Sequence, residues 1–385
     1  MNVLCQGALS VLSRVYSEDR ALFPYTSWAV GDGYVSTYTS PRAIRCSINC
    51  LLGLTEAARH DDAHPLVATV DRLTADFLER HLADVTDPGD QGLLTVLLSD
   101  PRHGADALAA AVGRIGEIAG DEQRVRALNV EQLSWLVWGA TTAHQRGVPG
   151  AEALARRLWA TLRAGYVGDG AVLPHHEPSP LRRWMVSFGA SVYVLHVALL
   201  YGRRFDDADA IALFDRGARG LLGAQGPHGE WPWQLRSSDA RPLDVYPVFS
   251  VHQISMAMLF LFGARERGLA GSQDAIDRSL AYVMGDNQLG LPMIQLDPFF
   301  IYRSVERNDR LPRARRYVRS LGRALARRPG DLAPDGRVHF NRESRAYELG
   351  WILYLLSSEP QLPVIDAAWP RLQAGAPPVA SGAPG

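Results

Sequence analysis

Carboxylates suited to acid–base chemistry are concentrated in the second half of the chain. Hydrolysis of a glycosidic bond needs a pair of carboxylic acid side chains on either side of that bond. Glu230, Asp244 and Glu343 are the candidates in this region. If two of them face a common cavity, the sequence fits a glycoside hydrolase.

A second chemistry, proton abstraction next to a carboxylate, fits other side chains of the same segments. His252 or Tyr246 could act as the base, and Tyr302 could act as the proton donor. Arg303 or Arg345 could neutralise the acid group, because a guanidinium pairs with a carboxylate in a fork. A uronate lyase or a sugar epimerase needs such a set.

Residues that could hold a polar ligand lie beside these groups. Aromatic rings stack on sugar faces, arginines bind carboxylate or phosphate, and side-chain amides supply hydrogen bonds. The predicted substrate-binding residues are Trp231, Trp233, Arg303, Arg345, Arg342, Asn341, Arg42 and Gln253. We expect a small-molecule substrate, no cofactor and no bound metal.

Most of these residues also have a purely structural interpretation. Trp231 and Trp233 could be packing residues, and Asp244 could cap the helix that follows it. His252 falls within an apolar helix, where a core histidine is common. Residues 342–345 could form an internal ion-pair cluster. The concentration of polar groups in one half of the chain favours a site.

Composition excludes several classes of protein. The chain has 385 residues, 47% of them hydrophobic, with a formal net charge of -1 and a pI near 6.8. Such a balance gives no basic field for nucleic acid. Two apolar runs approach membrane-spanning length, but both contain polar residues and lack flanking basic clusters, so buried helices are expected instead. Only three cysteines and the absence of a signal-peptide pattern predict a cytoplasmic protein.

Two kinds of helix alternate along the chain. Amphipathic helices are predicted over residues 64–82, 105–119, 151–164, 207–222 and 274–284. Helices that are apolar almost all round begin near residues 42, 91, 131, 184, 248 and 345. The second kind must be covered on every side, since an apolar surface is not stable in water.

This alternation predicts an all-α fold, an (α/α)6 toroid in which outer helices cover inner helices around a central cavity. An open solenoid of helix pairs would show the same alternation. We expect one domain over residues 1–372 and a disordered Pro/Gly/Ala-rich tail over 373–385. Short extended segments are predicted at 291–297 and 338–343, as excursions at one rim of the ring.

One segment resembles a known repeat. RGLLGAQGPHGEWPW contains Gln225, Gly229 and Trp231 in the order Q-x-x-x-G-x-W. This is similar to the QW repeat of the terpenoid cyclase and protein prenyltransferase toroids, in which the Gln caps a helix end and the Trp packs against it. The resemblance implies that Gln225 and Trp231 tie neighbouring helix pairs together.

The departures from that family concern function. The protonating Asp-x-Asp-Asp segment of the squalene–hopene type is absent, and so is an evident Asp/Cys/His zinc site. In architecture the chain also resembles six-hairpin glycosidases, sugar epimerases and α/α polysaccharide lyases. We therefore predict a toroid enzyme acting on a carbohydrate or sugar acid, of hydrolase, lyase or epimerase type. An isoprenoid-handling protein and a non-catalytic binding scaffold are the alternatives, and the lining of the cavity distinguishes the three.

Overall fold

A computed structural model of the chain describes residues 1–39, 41–61, 63–168, 170–177, 183–308, 313–326, 338–359 and 361–375. Helices dominate these residues. They are α1 (Val3–Val15), α2 (Arg42–His60), α3 (Pro65–Ala68), α4 (Val70–His81), α5 (Pro88–Leu98), α6 (Ala105–Gly120), α7 (Glu122–Ala127), α8 (Val130–Gln145), α9 (Ala151–Tyr166), α10 (Phe188–Phe205), α11 (Ala208–Ala224), α12 (Met258–Glu266), α13 (Ser272–Val283), α14 (Arg313–Leu325), α15 (Ala346–Leu356) and α16 (Pro363–Gly375).

Six helical segments form a closed inner ring. In order they are α2, α5, α8, α10, a π-helical turn (His252–Met256) that leads into α12, and α15, which packs back against α2. These are the six apolar segments expected from the sequence. The contact between α15 and α2 closes the ring, so the open solenoid is excluded and the predicted (α/α)6 toroid is confirmed.

An outer helix covers each inner one. The outer partners, in the same order, are α4, α6, α9, α11, α13 and α1. The sequence predicted five of them. The sixth is the N-terminal helix α1, which packs against α15 near the other end of the chain, so the two chain ends build one hairpin of the ring.

Local sequence fixes where the inner helices begin. Asp87 caps α5 by accepting hydrogen bonds from the backbone N–H groups of Gly89 and Asp90, and Pro88 occupies the first helical position. Asn129 and Gln132 form a reciprocal capping box at the start of α8. First-turn residues of these helices are therefore held in defined positions.

Short antiparallel strands cluster where the inner helices begin. They are β1 (Thr26–Val30), β2 (Gly33–Thr37), β3 (Met185–Ser187), β4 (Gln234–Arg236), β5 (Pro242–Asp244), β6 (Val248–Phe249), β7 (Ile294–Leu296), β8 (Phe299–Ile301), β9 (Ser304–Arg307) and β10 (Val338–Asn341). β1 pairs with β2 and β7 with β8, and three-stranded sheets run β10-β9-β6 and β3-β4-β5. Strands β7 and β10 confirm the predicted extended segments, whereas the β1–β2 hairpin was not expected.

The predicted tail begins inside a helix. Residues 373–375 form the end of α16, and residues 376–385 lie outside the described part of the chain. Among the described helices, none is both long and apolar enough to cross a membrane.

The inner helices approach one another through glycine. A Cβ atom added to Gly53 on α2 would overlap the carbonyl oxygen of Gly350 on α15, and one added to Gly350 would overlap the carbonyl oxygen of Asn49. Absence of side chains at both positions lets the two backbones meet where the ring closes.

We predict that Gly53→Ala lowers the free energy of unfolding by roughly 1–3 kcal/mol, because the added methyl group overpacks this contact. Gly113→Ala is the control, since Gly113 lies on the outer helix α6 with open space around it. The control should raise stability by roughly 0.5–1 kcal/mol through helix propensity. Urea unfolding measures both, and equal effects would show that the Gly53 contact does not constrain the ring.

Candidate active site

A cavity of about 510 Å³ opens where the inner helices begin. Aromatic side chains make up much of its wall: Tyr25, Trp135, Tyr193, Trp233, Tyr347 and Trp351. Charged side chains complete it: Arg42, Arg45, Arg303, Asp87, Asp90 and Glu131. The lining is therefore aromatic and strongly polar at once, which suits a sugar better than a hydrocarbon.

Aromatic side chains pack together in the middle of the ring. Trp138 stacks on Trp351 with ring centroids 6.0 Å apart, and Tyr354 meets both rings edge-on at 5.8 and 5.6 Å. Trp138 and Trp351 are fully buried. Trp351 also lines the cavity, so these packed rings form its floor.

Asp90, in the first turn of α5, is a buried carboxylate held by an arginine. Its side chain is 3% exposed, and Arg45 Nε on α2 donates to its Oδ1 at 2.5 Å. The same guanidinium reaches Asp87 at 3.2 Å, and Gln132 of α8 donates to Asp87 at 3.0 Å. Burial raises the pKa of Asp90 to about 6, although the neighbouring Arg45 opposes the shift.

Glu131, in the first turn of α8, stands next to this pair. Within the described residues its carboxylate has neither a hydrogen bond nor an ion pair. It lines both the main cavity and a side cavity of about 210 Å³, which His176 and Trp233 also line. Burial raises the pKa of Glu131, while the charges of His176 and Arg45 oppose that rise.

The close packing of α5 against α8 brings these carboxylates together. A Cβ atom added to Gly92 of α5 would overlap the backbone of Trp135 on α8. Since the two helices touch there, one turn beyond their capped ends, Asp90 and Glu131 both line the cavity.

His252 also lines the cavity, in the π-helical turn. Its ring lies between Phe188 and Phe249, with centroids 5.0 and 5.1 Å away. Burial lowers the pKa of His252 to about 3, and its Nδ1 has no hydrogen-bond partner among the described residues. The imidazole is therefore neutral at physiological pH.

Two further arginines, Arg42 and Arg303, line the cavity in addition to Arg45. Arg42 donates to the hydroxyl of Tyr25 at 3.1 Å, and Arg303 pairs with Glu343 at 3.1 Å. Arg345 also pairs with Glu343 and lies 3.6 Å over the ring of Tyr25. Glu343 thus pairs with two arginines beside the cavity, and two residues of the predicted ion-pair cluster, Glu343 and Arg345, are paired.

Four of the predicted site residues line the cavity: His252, Trp233, Arg303 and Arg42. Trp231 and Gln253 lie in the core instead. Trp231 is fully buried, stacks on Phe188 and donates from its indole nitrogen to Ser279 on α13 at 2.8 Å. Gln225 donates to the carbonyl oxygens of Gly229 and Ala275 at 3.0 Å, so the inter-helix contacts expected from the Q-x-x-x-G-x-W pattern are present.

The other predicted residues lie outside the lining. Asp244 is buried near Arg319 at 3.6 Å, and Tyr246 is buried with Arg307 over its ring at 5.0 Å. Glu230 accepts a backbone hydrogen bond within its own turn.

The remaining three belong to the rim of the ring. Tyr302 donates to Gln295 at 3.4 Å, and Asn341 donates to Glu306 at 3.0 Å. Arg342 is exposed. Within the part of the chain that is described, no group of three His, Cys, Asp or Glu side chains is arranged to hold a metal.

Sequence reasoning missed Asp90 and Glu131. The sequence did contain a signal for both residues, because each is an acid in the first turn of an apolar helix. Residues at the start of the inner helices are expected to line one mouth of the ring. An acid in the first turn of a helix is common for electrostatic reasons alone, so the sequence gives it no special weight.

Several solved structures with the same fold are carbohydrate hydrolases. An unsaturated glucuronyl hydrolase from Bacillus sp. GL1, responsible for the degradation of glycosaminoglycan, matches with a TM-score of 0.57 and 16% identity, over 92% of this chain and 96% of that one. An unsaturated glucuronyl hydrolase from Streptococcus agalactiae matches with a TM-score of 0.57 and 12% identity, over 92% and 89%. A glycosyl hydrolase family 88 protein from Bacteroides vulgatus gives 0.56 and 11%, over 92% and 97%.

At these identities the likeness shows the fold, and the predicted resemblance to six-hairpin glycosidases is confirmed. The resemblance to terpenoid cyclases stays unconfirmed. No protein-family model and no curated protein matches the chain.

A buried acid behind the cavity makes stability depend on pH. Glu348, in the first turn of α15, is 1% exposed, and burial raises its pKa to about 8 from an ordinary value of 4.5. The protonated Glu348 side chain makes its full contribution to the free energy of unfolding at pH values below its unfolded-state pKa. This contribution is lost as the pH rises through about 8.

We predict that Glu348→Gln raises the melting temperature at pH 9 by about 2 °C or more and has a much smaller effect at pH 5, because glutamine stays neutral. Glu117→Gln, on the exposed face of α6, is the control and should show no such difference. Thermal unfolding followed by circular dichroism measures both variants. If Glu348→Gln changed the melting temperature by the same amount at the two pH values, the raised pKa of Glu348 would be contradicted.

Proposed function

We propose that the chain is a hydrolase that cleaves a glycosidic bond of an acidic sugar held in the main cavity. The observation that carries the proposal is that two acids, Asp90, which is buried, and Glu131, which is half-buried, line one cavity with aromatic walls. Glycoside hydrolysis needs two carboxyl groups in different protonation states.

The surroundings divide the two roles. Asp90 pairs with Arg45, which favours the ionised form, so Asp90 stabilises the developing positive charge or activates water. Glu131 lacks such a partner among the described residues, and its raised pKa favours the protonated form. Glu131 is therefore the general acid that donates a proton to the leaving oxygen.

The arginines support an acidic substrate. Arg42 and Arg303 line the cavity, where a guanidinium can bind a sugar carboxylate. Trp135 and Trp233 offer ring faces for a sugar ring. Unsaturated glucuronyl hydrolases with the same fold act on such sugars, so an unsaturated glucuronyl disaccharide is the first substrate to test.

The other predicted chemistries are less well supported. A lyase or epimerase that uses His252 as base would rely on an imidazole with a pKa of about 3, which is too weak a base near neutral pH. An isoprenoid would face three arginines and three carboxylates rather than a dry aromatic funnel. A non-catalytic binding scaffold would not need an open cavity in which Asp90 pairs with an arginine while Glu131 has no such partner among the described residues.

We also keep the cytoplasmic location as a proposal. Cys5, Cys46 and Cys50 are all buried and unpaired, as expected in a reducing compartment. Fractionation of cells that express the tagged chain tests this, and recovery from a secreted fraction would contradict it.

We predict that Glu131→Gln and Asp90→Asn each lower kcat/KM by roughly a hundred- to ten-thousandfold, because each removes one proton-transfer or charge-stabilising group. The assay follows the absorbance of the conjugated double bond in the unsaturated disaccharide and the reducing sugar released from a panel of saturated uronosides. Glu152→Gln, in the first turn of the outer helix α9, is the matched control. Near-normal turnover by the Glu131 or Asp90 variant, with the control unchanged, would remove the basis of the proposal.

We further predict a pH profile governed by Asp90. Activity should fall as the pH drops through about 6, because Asp90 must be ionised. Arg45→Gln removes the cation that lowers the pKa of Asp90, so the acid limb of kcat/KM should move to higher pH by roughly one unit. Profiles of kcat/KM against pH, each normalised to its maximum, test this prediction, and Arg157→Gln on α9 is the control. If Arg45→Gln does not move the acid limb, the titration belongs to a group other than Asp90.

A further inference from the structure

The side cavity shares part of its lining with the main cavity. Its volume is about 210 Å³, and the shared residues are Glu131, Ser187 and Trp233. Pockets for drug-sized ligands begin at roughly 300 Å³, so the side cavity has room for about one small ring. The two cavities therefore form two compartments of unequal size, and the proposed general acid lines both of them.

The β3-β4-β5 sheet builds one wall of the side cavity. Met185 and Ser187 are two residues apart on β3, and Ser187 is paired with Gln234 on β4. Paired residues and residues two apart share one face of a sheet, so these three side chains point to the same side. The backbone of His176 accepts a hydrogen bond from the N–H of Val130 at 3.1 Å and donates to the carbonyl oxygen of Met185 at 3.4 Å. The start of α8 is thereby tied to this sheet.

Gln234 is the polar side chain that indicates a ligand in the side cavity. It is 3% exposed and lines that cavity, and its side-chain amide has no hydrogen-bond partner among the described residues. A buried amide without a partner costs free energy unless a ligand or water satisfies it. An amide donates from its nitrogen and accepts at its oxygen, which matches a hydroxyl group, because a hydroxyl also does both.

The rest of the lining suits a neutral group. Among the described residues that line the side cavity, none is an arginine or a lysine, whereas three arginines line the main cavity. A second acidic sugar would lie near the carboxyl group of Glu131 without a guanidinium to pair with it. The imidazole of His176, when charged, acts on Glu131 itself. Trp233 and Tyr317, whose ring centroids are 5.2 Å apart, supply aromatic surface on which a sugar ring can pack.

We propose that the side cavity binds the leaving group of the substrate and that this group is a neutral sugar. The inference rests on the proposed function and deepens it, since it identifies the second half of the substrate. A general acid must reach the glycosidic oxygen, which joins the two halves. Glu131 lines both compartments, so an acidic sugar in the main cavity and a leaving group in the side cavity place that oxygen beside it. The oxygen takes the proton of Glu131 and leaves as a hydroxyl of the neutral sugar, while water adds to the anomeric carbon of the acidic sugar and returns a proton.

The test compares three glycosides of the same unsaturated uronic acid, whose leaving groups are methanol, glucose and glucuronic acid. With the wild type, kcat/KM should be roughly tenfold or more higher for the glucose glycoside than for the other two. Gln234→Leu should lower the ratio of kcat/KM for the glucose glycoside to kcat/KM for the methyl glycoside roughly fivefold, the effect of about one hydrogen bond. Gln273→Leu, the same substitution at an exposed position of the outer helix α13, should leave this ratio unchanged.

The ratio compares two substrates on one preparation, so a partly unfolded variant does not alter it. If the wild type turns over the methyl glycoside and Gln234→Leu leaves the ratio unchanged, the inference is overturned and the proposed function stands. A preference of the wild type for glucuronic acid as leaving group would also overturn the inference. If the wild type turns over none of the three glycosides, the proposed function fails and the inference fails with it.

Discussion

Backbone-to-backbone packing of the inner helices is the constraint on which the cavity wall depends. Gly53 and Gly350 bring α2 against α15, and Gly92 brings α5 against the backbone of α8 at Trp135. A Cβ atom at any of these glycines would push the helices apart. Because the helices touch, their capped first turns converge, and residues from separate hairpins share one wall. The site is thus a consequence of how closely six helices can approach.

Burial then decides how each charge behaves. The low polarity of the interior favours neutral forms, and a nearby opposite charge restores the ionised form. Asp90 has Arg45, and Glu343 has Arg303 and Arg345. Glu131 has no such partner among the described residues. This unequal pairing gives the two carboxylates of the cavity different surroundings, although burial raises the pKa of both. The same interior keeps His252 neutral and makes it a weak base.

Much of the fold was predictable from hydrophobic patterning, since an apolar helix must be covered and an amphipathic one must face water. The helices that begin at Arg42, Val130 and Ala346 agree closely with that expectation. Helix α1 was missed as an outer helix because its partner α15 lies more than 300 residues away, and periodicity contains no long-range information. The same limit applies to the site. Trp231 and Trp233 are two residues apart, yet one is in the core and the other lines the cavity.

By itself the sequence determined the kind of helix at each place, the caps that begin them, and the contacts of Gln225 and Trp231. These depend on residue type and short spacing, which act locally. Only the tertiary structure decided which polar groups share a cavity. Asp90 and Glu131 come from different hairpins, and their burial, their partners and therefore their protonation are set by neighbours distant in sequence. Chemistry at such a site is a property of the packed ring, because the pKa of a carboxyl group depends on everything within a few ångströms of it.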